Sequence, residues 1–153
     1  MKVIDFLAAD CIVPSLEAKT KPAVLAELSA HMAKVVPGME AETLRKVLEE
    51  RELLASTAIG DGIAIPHGKL DSVGRLVGAL GRAVDGIEFE SIDGKPTYLI
   101  FMLVAPASST GVHLKALARL SRLFRDAEFR KRLLAAPTGE AMYQVIVEED
   151  AKY

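Results

Sequence analysis

Cysteine is nearly missing from this chain. Cys11 stands alone among 153 residues, which excludes an internal disulfide framework and any four-cysteine zinc site. No sign of charge dominates either. Nineteen basic side chains face 21 acidic ones, a net charge of −2. That is a poor match to the basic surface needed to grip many phosphates of DNA, so no nucleic-acid partner is expected. Long hydrophobic runs are absent. The longest, Tyr98 to Ala107, falls far short of the ~20 residues of a spanning helix and reads as a buried strand. The opening Met1-Lys2-Val3-Ile4-Asp5 has no apolar signal core and no small-residue cleavage site. The expectation is a soluble cytoplasmic protein without membrane insertion, its thiol reduced. There is no GxxxxGK[ST] loop, no kinase HRD or DFG set and no HExxH, so direct transfer from ATP is not expected.

What is present is an ordinary globular mixture, 50% hydrophobic and 26% charged, enough to bury a core. No repeat or low-complexity linker divides it, so residues 1–153 read as a single domain. Thr20 can cap a helix from near Lys21, with Leu25, Leu28, Met32 and Val35 on one face. Pro37-Gly38 ends it. A second helix is expected from about Glu40 to Leu54. The glycine-rich stretch from Ser56 to Lys69 follows. Leu76–Val84 and Thr97–Val104 read as buried strands, with turn chemistry in Asp93-Gly94-Lys95-Pro96. Ser108-Ser109-Thr110 offers caps for a helix from about Gly111 to Arg125. Asp126 opens another segment, and Thr138 can cap a last helix through Val147. Helices before, between and after buried strands predict an α/β layered domain.

Three residues break the apolar pattern. Arg51 continues the stripe of Leu44, Val47 and Leu48 instead of facing solvent. A guanidinium cannot shed its proton and is costly to bury unpaired, so it needs an anionic partner. A neighbouring carboxylate, or a head group reaching water, would satisfy that need as well as a ligand would. His67 follows the strand-like Gly62-Ile63-Ala64-Ile65. Between Pro66 and Gly68 it reads as a held but exposed loop histidine, reactive or merely solvated. His113 lies in the first turn of its helix, opposite the stripe of Lys115, Arg119 and Arg122. It is either a satisfied core histidine or an imidazole kept neutral beside a helix N-terminus. His31 lies on the Glu27/Lys34 side of its helix and reads as surface. Cys11, without a basic neighbour, reads as a buried inert thiol.

Two histidines and an arginine, with no local Ser/Asp triad, suggest phosphoryl handling. A neutral imidazole is a good nucleophile, and a guanidinium can bind phosphoryl oxygens bidentately. Metal binding by His67 and His113 is the competing chemistry, weak without a third nearby ligand. The basic stripe is a candidate docking surface or a solvated face.

The segment RELLASTAIGDGIAIPHGKL, Arg51 to Leu70, closely resembles the signature of the fructose/mannitol-type IIA domains of the bacterial sugar phosphotransferase system. IEFESIDGKPTYLIFMLVAP and GVHLKALARLSRLF continue the match over almost the whole chain. The GIAIPHGKL wording is most similar to nitrogen-related regulatory IIA proteins. The resemblance implies a mixed β-sheet flanked by helices on both faces. It implies that His67 is the phosphoacceptor through Nε2, His113 the second active-site histidine and Arg51 the phosphate-facing arginine. It implies a phosphohistidine donor, HPr or its nitrogen-branch counterpart, and either a IIB cysteine or a regulated target downstream. No cofactor and no metal are implied. Loop amides around Gly60–Gly62 are expected to share the phosphoryl charge. These 153 residues contain no IIB cysteine motif and no permease, which tilts the reading toward regulation over transport.

Overall fold

The structure, a computed structural model, describes residues 1–109 and 111–153. Two 3-10 turns, Val3–Asp5 and Ala9–Cys11, lead into β1 (Ile12–Val13), α1 (Lys21–Val35) and α2 (Ala41–Leu54). Three short strands follow, β2 (Ala58–Gly60), β3 (Ile63–Ala64) and β4 (His67–Leu70), then the long β5 (Val77–Ile87) and β6 (Thr97–Pro106). The chain closes with α3 (Val112–Phe124), α4 (Ala127–Ala135) and α5 (Gly139–Asp150).

The helix starts follow local capping chemistry. Thr20 accepts from the Ala23 amide at 3.3 Å and Thr138 from Ala141 at 3.0 Å. The Asp126 side chain accepts from Glu128 at 2.9 Å. Each satisfies an amide that the first helical turn leaves without a partner. α3 differs. Gly111 is its N-cap residue, with no side-chain cap, while Thr110 lies outside the described residues.

Among the described residues the strands form one six-stranded mixed sheet in the order β1-β5-β6-β3-β2, with β4 also paired to β6. β5 and β6 are antiparallel; β3 and β4 both run parallel to β6, one after the other along the same edge. Leu99 to Ala105 are buried throughout, as expected for a central strand covered on both faces. Gly68 faces α2, and Phe101 faces α3 through Phe124, ring centroids 6.5 Å apart. The sheet is therefore sandwiched between α1–α2 and α3–α5.

Arg82 interrupts β5 and is buried. Its guanidinium donates to the carbonyls of Pro14 at 2.8 Å, Leu133 at 2.8 Å and Ala136 at 2.6 Å. A fixed cation thus occupies the carbonyl-rich C-terminus of α4, where the helix dipole favours it. The Asp150 carboxylate works in the opposite sense, accepting from the amides of Val3 at 3.1 Å and Ile4 at 3.0 Å and from Arg119 at 2.9 Å. The Lys115–Arg119–Arg122 stripe is accordingly no free basic face. Arg119 is consumed by Asp150, and Arg122 stacks on Tyr153 at 4.3 Å from the ring centre.

Candidate functional site

His67 lies in a strand, contrary to the loop expected from Pro66 and Gly68. Pro66 does interrupt the chain, separating β3 from β4, but His67 opens β4 opposite Leu103 of β6. Gly68 does not turn the chain away. Its role is the absence of a side chain, since a Cβ there would meet Val47 Cγ1 at 2.7 Å. That close approach seats α2 on β4. Strand alternation then sends His67 and Lys69 to the other face, where α3 brings His113. The two imidazoles stand with ring centroids 6.0 Å apart and planes tilted by 34°.

The His67 ring is oriented by its own backbone. Nδ1 lies 2.8 Å from the Ile65 carbonyl oxygen. A carbonyl only accepts, so Nδ1 carries the proton in the neutral ring and Nε2 presents the lone pair. His113 Nδ1 is buried without a hydrogen-bond partner among the described residues. Burial, then the Lys69 ammonium and His67, push its pKa below the usual histidine value. Both effects disfavour the imidazolium.

Arg51 is half-buried at the end of α2, one helical turn beyond Val47. Its Nη1 donates to the Ala55 carbonyl at 2.9 Å, and among the described residues it has no ion pair. Of the outcomes the sequence left open, a carboxylate partner is not found among the described residues, and the head group lies at an exposed site. The loop after Arg51 is held by Glu52, a residue the sequence pattern did not single out. Its carboxylate pairs with Lys21 at 2.7 Å and accepts from the Thr57 amide at 3.1 Å and the Thr57 hydroxyl. Thr57 in turn accepts from the Ile65 amide at 3.0 Å. Val47 on Gly68 and Thr57 on Ile65 hold the chain on either side of His67.

The glycine turn belongs elsewhere. Ile63 pairs with Leu99 and His67 with Leu103, so Ile63 sits four positions back along β6, about 13 Å at ~3.3 Å per residue, and Gly60–Gly62 lies beyond it. Its groups are already used. The Asp61 amide donates to Asp93 at 3.1 Å, and the Gly62 carbonyl accepts from Tyr98 and Leu99 at 2.8 and 3.0 Å. The expectation that these amides share the phosphoryl charge is corrected by that distance. His31 is half-buried rather than surface, its Nε2 2.6 Å from the Asp10 carbonyl. Cys11 is buried, and desolvation with nearby Asp10 raises its thiol pKa to about 11. Among the described residues, no three His, Cys, Asp or Glu side chains are grouped to hold a metal ion.

The structure brings two of the three singled-out residues together, His67 and His113, while Arg51 stands at the end of α2 with one N–H on the Ala55 carbonyl. Residues 5–149 match the family described as phosphoenolpyruvate-dependent sugar phosphotransferase system, EIIA 2. The chain belongs to that family. It is 41% identical over 146 residues to a nitrogen regulatory protein of Bradyrhizobium diazoefficiens, covering 95% of each. It is 37% identical over 150 residues to the fructose-specific EIIABC component of Bacillus subtilis, covering 98% of this chain and 24% of that protein. Among solved structures, nitrogen regulatory protein IIA-Ntr from Neisseria meningitidis superposes with a TM-score of 0.86 at 30% identity, over 93% of this chain and 97% of the other. This EIIA domain is therefore a phosphotransferase component, and its broad role is phosphoryl transfer. No described helix is long and apolar enough to cross a membrane.

Proposed function

We propose that this EIIA domain is a histidine phosphoryl carrier that takes its group from phospho-HPr, or the nitrogen-branch counterpart, on His67 Nε2. The observation that carries this is the 2.8 Å contact of His67 Nδ1 with the Ile65 carbonyl. It holds the proton on Nδ1 and aims the other nitrogen's lone pair outward. The Nε2 pair attacks phosphorus in line. An N–P bond forms, the donor's N–P bond breaks, and its electron pair returns to the donor imidazole. Arg51 offers bidentate N–H groups to the phosphoryl oxygens. His113, kept neutral, offers a donor or acceptor without adding a proton that could be lost to the leaving group. Cys11, buried and poorly ionised, takes no part.

A protein donor needs a docking surface. Leu53 and Leu54, just beyond Arg51, are 85% and 81% exposed, and Val112 and Leu114 on either side of His113 are also exposed. Such apolar side chains suit contact with another protein. The downstream end is regulatory in this reading, supported by the likeness to nitrogen regulatory proteins over nearly the full chain. The likeness to the fructose-specific component supports a second reading, in which the group passes to a IIB cysteine.

The test is incubation with radiolabelled phosphoenolpyruvate, enzyme I and HPr. Acid-labile label on the wild-type chain and none on His67→Ala is the expected result. Wild-type protein that stays unlabelled with both HPr types overturns the carrier reading; undiminished label on His67→Ala overturns the site.

A further inference from the structure

Lys69 is not explained by the account so far. It shares a face of β4 with His67, two positions away, or about 6.6 Å along the strand at ~3.3 Å per residue. It is an exposed residue, yet its ammonium is not left to solvent. Nζ donates at 2.8 Å to the carbonyl of Ser109, forty positions later in the chain and just ahead of the helix that carries His113. Its charge also reaches His113. The hydroxyl of Ser109 and Nδ1 of His113 are both buried without partners among the described residues. Buried polar atoms are rarely left so in a finished structure. An ammonium, an unpartnered hydroxyl and an unpartnered ring nitrogen thus gather on the side of β4 from which His67 projects.

We propose that Lys69 is a further phosphoryl-binding residue, whose ammonium exchanges the Ser109 carbonyl for a phosphoryl oxygen when His67 is phosphorylated. This rests on the carrier reading above. The exchange breaks and makes hydrogen bonds only. It is driven by charge, because an ammonium bonds an anionic oxygen roughly twice as strongly as a neutral carbonyl. Losing the clamp frees Ser109 from β4, so the loop ahead of α3 differs between the two forms. The phosphorylation state then becomes readable on the protein surface, next to the exposed Val112 and Leu114.

The experiment compares wild type, Lys69→Gln and Lys69→Arg in the labelling assay, with amide NMR spectra of each before and after phosphorylation. Lys69→Gln is expected to take label about ten-fold more slowly, the low end for one charged hydrogen bond, with an unchanged melting temperature. Lys69→Arg should recover much of that rate. The Ser109 amide should move on phosphorylation of the wild type, toward its position in unphosphorylated Lys69→Gln. Label on Lys69→Gln at the wild-type rate, or a Ser109 amide unmoved by wild-type phosphorylation, overturns this proposal and leaves the carrier reading standing. Wild type that takes no label overturns both.

Discussion

Arg82 and Arg51 both interrupt apolar stretches, and the molecule treats them in opposite ways. Arg82 is buried in β5 and donates to carbonyls of two separate segments, Pro14 and the end of α4. Arg51 is half-buried at the end of α2 and spends one N–H on Ala55. The histidines divide along the same line. His31 Nε2 is tied to the Asp10 carbonyl, while among the described residues neither His67 Nε2 nor His113 Nδ1 has a partner. Arg82 and His31 are satisfied by the fold, although the Ser29 and Thr97 hydroxyls, away from β4, are also buried without a partner among the described residues. The groups around His67 are held in place but left with bonding capacity, which is the condition for receiving a ligand.

That contrast can be broken experimentally. The largest effect is expected from His67→Gln. Phosphorylation should be lost outright, while urea unfolding shifts by no more than about 0.5 kcal/mol, the range of a surface change. Arg82→Met should do the reverse. It orphans buried carbonyls and is expected to cost about 3 kcal/mol, read from the urea midpoint, with normal labelling of the folded fraction. Arg51→Ala should slow labelling by about ten-fold or more with little change in melting. If Arg51→Ala proved as destabilising as Arg82→Met, the division into satisfied and open regions would fail. The smallest effect concerns pH. The pKa of His113 is lower in the folded protein than its ordinary value, so the unfolded chain binds the extra proton first as pH falls through about 6.5. Stability should decline across that window, and His113→Gln should flatten this part of a stability–pH curve measured by urea unfolding.

Much of the fold was legible because its signals are local. Thr20, Asp126 and Thr138 cap helices through amides two or three residues away, and the runs that became β5 and β6 needed no partner to be seen. The pairing of His67 with His113 was legible as two residues out of pattern. What failed depended on distant neighbours. Gly68 reads as a turn residue locally, and only the approach of Val47 shows that it serves by lacking a side chain. Had His67 been read as strand, the alternation His67–Lys69 would have pointed to Lys69. The last helix was expected only through Val147. It continues because Glu149 and Asp150 are buried, Asp150 against amides 146 and 147 positions away.

The contact of Val47 with Gly68 works as a ruler. It sets the thickness of the layer between α2 and the strand that carries His67. A larger residue at 68 would need a smaller one at 47 to keep that gauge. The two positions should therefore tolerate change only as a pair, and Gly68→Ala combined with Val47→Ala is the exchange that conserves the spacing.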